Sequence, residues 1–139
     1  MTPTDTKNID LSKHTVLAVD DIPMNLLLIS KILSRLNITI STAANGREAL
    51  ESIAKNKPSL VLLDLMMPEI DGYEVLRRLR ENPDTKDLRV VILSALNSNE
   101  DIVKGFNMGA NDFITKPIIL EKLTSCVITQ LQLVELSGK

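Results

Sequence analysis

Five short apolar runs, each followed by a stretch of helical spacing, constrain this chain more than any other feature. The runs cover 15–19, 38–43, 61–64, 88–93 and 112–115. A continuous apolar run of strand length fits a strand buried on both faces, as in a parallel sheet. Between and after the runs, apolar residues recur at helical intervals. These are Leu26, Ile29, Leu33 and Leu36, then Ala49, Leu50, Ile53 and Ala54, then Val75, Leu76 and Leu79. Ile102, Val103 and Phe106 follow, and Leu120, Leu123, Val127, Leu131 and Val134 close the series. Each set gives one buried helix face.

Local punctuation agrees with that division. Pro23 suits the first turn of a helix, where its missing N–H costs nothing. Asn45 with Glu48, and Asp71 with Glu74, have the spacing of capping pairs, and Ser98 caps the fourth helix. Asn82-Pro83-Asp84 ends the third helix and Gly109 the fourth. Strands alternating with helices through short connections predict an α/β fold, a parallel sheet covered by helices on both faces with right-handed crossovers. Residues 1–14 read as a flexible N-terminal tail, 15–136 as one domain and 137–139 as a C-terminal tail.

In such a sheet, chemistry gathers beyond the carboxyl ends of the strands. Those ends carry Asp20 and Asp21, Asp64, Ser94 and Lys116. Asp64 closes the apolar run Val61-Leu62-Leu63, where a lone buried carboxylate is costly to ionise. Three carboxylates on one edge repel: at 4 Å a like-charge pair costs roughly 1 kcal/mol in water and about 4 at an effective dielectric of 20. Lys116 offsets part of this. Ligands that are all oxygen point to a hard divalent cation, Mg²⁺. A hydroxyl and an ammonium opposite a metal-bound carboxylate form a cradle for a phosphoryl group.

Composition narrows the classes of function. The chain has 139 residues, suited to one domain, with 44% hydrophobic and 24% charged residues, an ordinary balance for a folded protein. A net charge of −2 gives no basic field for nucleic acid, and no Trp, one Tyr and two Phe give no base-stacking platform. Cys126 is the single cysteine, which excludes a disulfide framework and a cysteine zinc site. With no signal peptide and no apolar run of membrane length, the expectation is a cytoplasmic protein without membrane insertion. His14 is the single histidine, expected to be a plain surface residue near a terminus.

The strand-end residues sit in runs that resemble the receiver domain of two-component response regulators. The matching runs are Val19-Asp20-Asp21, Leu63-Asp64 with Met67-Pro68 and Asp71-Gly72, Ser94-Ala95, and Gly109-Ala110-Asn111-Asp112-Phe113 leading to Lys116-Pro117. The resemblance implies a flavodoxin-like, doubly wound, five-stranded sheet of order 2-1-3-4-5 with five helices. It implies that Asp64 accepts a phosphoryl group from phosphohistidine on a sensor histidine kinase or a histidine phosphotransfer protein. Asp21, Asp64 and the backbone carbonyl of Met66 would hold Mg²⁺, with Asp20 acting through a water. Lys116 would pair with the phosphoryl group, Ser94 would hydrogen-bond it with help from the Ala95 N–H, and Phe113 would be the switch aromatic. Met66 and Leu96 would flank the path of the hydrolytic water, so apolar side chains there imply a long-lived phosphorylated state. The output would be a partner or an attached domain meeting the face of the fourth helix, fifth strand and fifth helix. Catalysis would extend only to the chain's own phosphorylation and dephosphorylation. The Val-Asp-Asp-Ile-Pro-Met-Asn run also resembles receivers within hybrid kinases and multidomain regulators. A haloacid-dehalogenase-type phosphatase fits less well, because Met66 stands where that chemistry wants a second Asp. A flavodoxin fits less well too, because Asp-Asp-Ile-Pro replaces its phosphate loop.

Overall fold

The structure is a computed structural model and describes residues 10–137. Five strands, β1 (Thr15–Val19), β2 (Thr39–Ala43), β3 (Leu60–Leu63), β4 (Arg89–Ser94) and β5 (Asp112–Thr115), alternate with five helices. The helices are α1 (Pro23–Ser34), α2 (Gly46–Lys55), α3 (Gly72–Glu81), α4 (Asn99–Asn107) and α5 (Leu120–Leu136). All neighbouring strands pair in parallel, in the order β2-β1-β3-β4-β5. This is the flavodoxin-like sheet expected above. β2 and β4 begin at Thr39 and Arg89, one residue later than the apolar runs suggested, within the usual spread of element ends.

The two-residue period of a strand sorts the core into two layers. Leu17, Val19, Val61, Leu63, Val90 and Ile92 pack with Ala49 and Ile53 of α2 and with Val75, Leu76 and Leu79 of α3. Val16, Ala18, Leu60, Leu62, Val91 and Leu93 pack with Ile29, Ile32 and Leu33 of α1 and with Leu123, Val127 and Leu131 of α5. Every residue of β3 is therefore buried, which explains its unbroken apolar run. Each Leu or Val so enclosed contributes about 1.5–3 kcal/mol. The N-cap side chains act as their spacing predicts, but the paired glutamates do not close a capping box: Glu48 accepts from the Ala44 N–H and Glu74 pairs with Arg77 and Arg78. Asn45 accepts from the Glu48 N–H at 2.8 Å, Asp71 from the Glu74 N–H at 2.9 Å, and Ser98 from the Asp101 N–H at 3.1 Å.

Two expectations need correction. His14 is not a surface residue: it is 4% exposed. Its Nδ1 lies 2.9 Å from Ser59 Oγ and its Nε2 2.8 Å from Glu135 Oε2. Leu11 is buried in the layer of α1 and α5, so residues ahead of Thr15 belong to the packed structure rather than to a loose tail. The rest of the expected tail, 1–9, and residues 138–139 lie outside the described residues. The second correction concerns α4. Its helical spacing is real, but Val103 is 55% and Phe106 46% exposed, and Gly105 is its buried residue.

Candidate functional site

The parallel register brings the residues after β1, β3, β4 and β5 to one edge. Asp20 and Asp64 occupy equivalent positions there: the Asp20 N–H donates to Ala43 O and the Asp64 N–H to Val19 O, each extending its strand by one rung. The Lys116 N–H donates to Ser94 O at 2.8 Å, which ties the end of β5 to the end of β4. The following Lys116–Pro117 peptide bond is cis.

One carboxylate oxygen from each of Asp20, Asp21 and Asp64 lies within 4.8 Å of the others. Asp20 is 1% and Asp64 4% exposed, while Asp21 is open to solvent. The Lys116 ammonium bridges the two buried carboxylates, 2.8 Å from Asp20 Oδ2 and 3.4 Å from Asp64 Oδ2. Asp20 also accepts from the Ile22 N–H at 2.9 Å and from Asn25 Nδ2 at 3.1 Å. Three donors, the Ile22 N–H, the Asn25 amide and the Lys116 ammonium, thus meet on the single Asp20 carboxylate. Asp64 is less committed. Its Oδ1 accepts only a longer bond, 3.3 Å, from the Met66 N–H.

This difference shapes the electrostatics. Burial pushes the Asp64 carboxyl above its ordinary value of 3.8; the Lys116 charge opposes the rise and the Asp20 charge adds to it. Burial works against the Lys116 ammonium, but its hydrogen bond to Asp20 and the charges of Asp64 and Asp20 outweigh that and hold it above 10.5. Two carboxylates on one ammonium, with a third beside them, leave net negative charge at a partly desolvated edge. A donor set of oxygen alone with that surplus fits a hard divalent cation such as Mg²⁺.

The remaining expected residues fall around this cluster. Ser94 is completely enclosed at the end of β4, and its Oγ accepts from the Leu96 N–H at 3.1 Å. Phe113 on β5 is half-buried against the layer of α2 and α3. The Met66 side chain is exposed, while Leu96 packs against the core. The loop after β3 is held close to α3 by Gly72. Its N–H donates to Leu65 O at 3.0 Å, and a Cβ there would lie 2.2 Å from Asp64 O. Sequence reasoning did not single out Asn25. The signal was available, since it lies one helical turn beyond Asp21 in the quoted Asp-Asp-Ile-Pro-Met-Asn run.

The response regulator receiver domain matches residues 16–128, and the chain belongs to that family. Over 123 residues it is 42% identical to a protein of Vibrio cholerae named "Probable cyclic di-GMP phosphodiesterase", covering 88% of this chain and 28% of that one. It is also 42% identical over 103 residues to the response regulator PleD of Caulobacter vibrioides, covering 74% of this chain and 23% of PleD. Among solved structures, the signal receiver domain of a signal transduction histidine kinase from Syntrophus aciditrophicus matches with a TM-score of 0.79 and 34% identity. That match covers 86% of this chain and 90% of the other. The chain therefore spans about a quarter of the length of these two curated relatives. Receiver domains are signalling modules that meet histidine kinases and output domains, and phosphorelay signalling is the setting of this family. Among the described residues, no helix is long and apolar enough to cross a membrane.

Proposed function

We propose that this chain accepts a phosphoryl group on Asp64 from a phosphohistidine partner and converts it into a change of its α4–β5–α5 surface. The observation that carries this reading is the cluster of Asp20, Asp21 and Asp64 around the Lys116 ammonium. Asp64 is the buried carboxylate of that cluster with the weaker set of bonds, one of 3.3 Å on Oδ1 and one of 3.4 Å on Oδ2, so it is the one whose oxygen is most readily released for attack. That oxygen attacks phosphorus, the P–N bond to imidazole breaks, and an acyl phosphate forms on Asp64. Lys116 follows the new charge, moving its third donor toward the phosphoryl oxygens while Asp20 holds the ammonium in place. Ser94 can turn its hydroxyl from accepting the Leu96 N–H to donating to the phosphoryl group, with the Ala95 N–H as a second donor. Asp21, Asp64 and the Met66 carbonyl would hold Mg²⁺, with Asp20 beside them. When bound, Mg²⁺ supplies positive charge against the carboxylates and the phosphoryl oxygens.

The movement of Ser94 frees space for Phe113 to turn inward, which re-forms the surface of α4, β5 and α5. Val103 and Phe106 on α4 and Ile119 and Leu120 at the start of α5 already expose apolar area on these elements. A partner or an attached output domain docks there. The folded unit is the expected 15–136 extended at its start to take in Leu11 and His14. The protein is no enzyme toward separate substrates; it acts on its own acyl phosphate, and it works in the cytoplasm without contacting nucleic acid itself. Intact mass after exposure to acetyl phosphate and Mg²⁺ tests this. Wild type should gain one phosphoryl group, and Asp64→Asn or omission of Mg²⁺ should abolish the gain. Undiminished uptake by Asp64→Asn would remove Asp64 from the role.

A further inference from the structure

Helix α4 is the least embedded of the five. Gly105 is its one buried residue, whereas α3 buries Gly72, Val75, Leu76 and Leu79. Few contacts can therefore fix its position. One is made by Gly105 itself. A Cβ there would lie 2.9 Å from Ile92 Cδ1 and 3.1 Å from Phe113 Cδ2, so the helix backbone rests on the Phe113 ring. Two more come from one side chain of α3, Tyr73. The Tyr73 hydroxyl donates to Asp101 O at 3.3 Å, and the Lys104 ammonium sits 4.1 Å from the centre of the Tyr73 ring. Asp101 and Lys104 are three residues apart and share one face of α4. Tyr73 thus grips that face twice.

Tyr73 is also next to the phosphorylation loop in the chain. Gly72 leaves no slack there, since a Cβ would stand 2.2 Å from Asp64 O and 2.7 Å from Leu65 Cα. The Gly72 N–H is bonded to Leu65 O. A displacement of the Asp64–Leu65 backbone must carry Gly72 with it, and Tyr73 follows.

We propose that Tyr73 is a latch that holds α4 in its resting position and transmits movement of the Asp64 loop to that helix, alongside the route through Ser94 and Phe113. This rests on Asp64 being the phosphoryl acceptor. The phosphoryl group adds charge and bulk at the end of β3, the loop shifts, and the hydroxyl and ring of Tyr73 lose their alignment with Asp101 and Lys104. A bond of 3.3 Å is at the long end of the useful range and breaks with a small shift. Coupling is reciprocal: whatever frees α4 must also favour the phosphorylated state. Tyr73 is a positioning residue and touches no reacting atom.

Two conservative variants test this in the full chain. Tyr73→Phe keeps the ring and deletes the hydroxyl; Lys104→Met keeps the chain length and deletes the cation. Amide hydrogen exchange reads the hold on α4, and the rate of phosphoryl uptake from acetyl phosphate with Mg²⁺ reads the coupling. Each variant should speed both exchange in α4 and phosphoryl uptake by about threefold, the scale of one weak hydrogen bond or one exposed cation–π contact, with α1 and α2 unchanged. Unchanged exchange in α4 would overturn the latch. Faster exchange with unchanged or slower uptake would reduce Tyr73 to a structural tie and overturn the transmission. Absence of uptake by the wild type would overturn the reading of Asp64 itself, while the exchange data still report whether Tyr73 holds α4.

Discussion

Asp64 is a residue whose cost in the resting protein is visible. It is buried, beside a second buried carboxylate, and its carboxyl titrates above its ordinary value chiefly through burial. Asp64→Asn keeps the shape and removes the charge, while Lys116 retains its 2.8 Å bond to Asp20. Without Mg²⁺ the variant should therefore be more stable than wild type by about 1 kcal/mol, read as a higher melting temperature. A lower melting temperature would mean that Lys116 already compensates Asp64 in full. Met66 allows a second expectation at this scale. Its side chain is exposed beside the site and offers no useful hydrogen bond to a hydrolytic water. Met66→Asn should speed phosphate release from the phosphorylated protein by about tenfold, equivalent to about 1.4 kcal/mol, without weakening Mg²⁺ binding. Equal release rates would show that this side chain does not set the lifetime. Leu96 is the poorer place for such a change, because it packs against the core. The acidic residues, Ser94 and Lys116 were legible because each ends an apolar run. The particular partners of Lys116 were not, since which carboxylate an ammonium reaches depends on distances that spacing does not contain.

At the scale of elements, the strands and caps were legible for a simple reason. Burial on both faces removes polar residues from Leu60–Leu63, and each cap needs only a side chain and an N–H three residues on. Helix α4 was legible as a helix but not as an exposed one, because helical spacing says which residues share a face and not whether anything covers it. The junction of β3 and α3 is the tightest place in the fold. Gly72 has the backbone of Asp64 and Leu65 where a side chain would be. Gly72→Ala should cost about 1–3 kcal/mol, the scale of overpacking, and should slow phosphoryl uptake because the Asp64 loop has to move. Chemical denaturation and uptake kinetics on the same variant check both parts. Full stability with normal uptake would show that the loop has slack the structure does not suggest.

Across the whole molecule, the two ends of the described chain are fastened together. Leu11 enters the layer of α1 and α5, and His14 links Ser59, ahead of β3, to Glu135, near the end of α5. None of this was legible in the sequence, because the partners of His14 are 45 and 121 residues away and no local pattern signals them. The fastening has a pH signature. The hydrogen bond from His14, helped by Lys13, holds the Glu135 carboxyl below its ordinary 4.5. A depressed carboxyl contributes stability that is full above the unfolded value and lost as pH falls through the folded one. The advantage of wild type over Glu135→Gln should thus be present at neutral pH and shrink as pH falls below 4.5, as read by melting temperature across the range. A constant difference would place the contribution of Glu135 outside this ion pair. Leu11→Ala should cost about 2–5 kcal/mol if the segment is as well packed as its burial indicates.

Identification of the phosphorylated residue tests the central claim most directly. Borohydride reduces an aspartyl phosphate to homoserine, so treating the phosphorylated protein and sequencing its peptides by mass spectrometry marks the acceptor. Homoserine should stand at position 64 and at no other carboxylate. Homoserine at position 20 or 21, or a phosphoryl group that survives reduction on a hydroxyl, would contradict the assignment of Asp64.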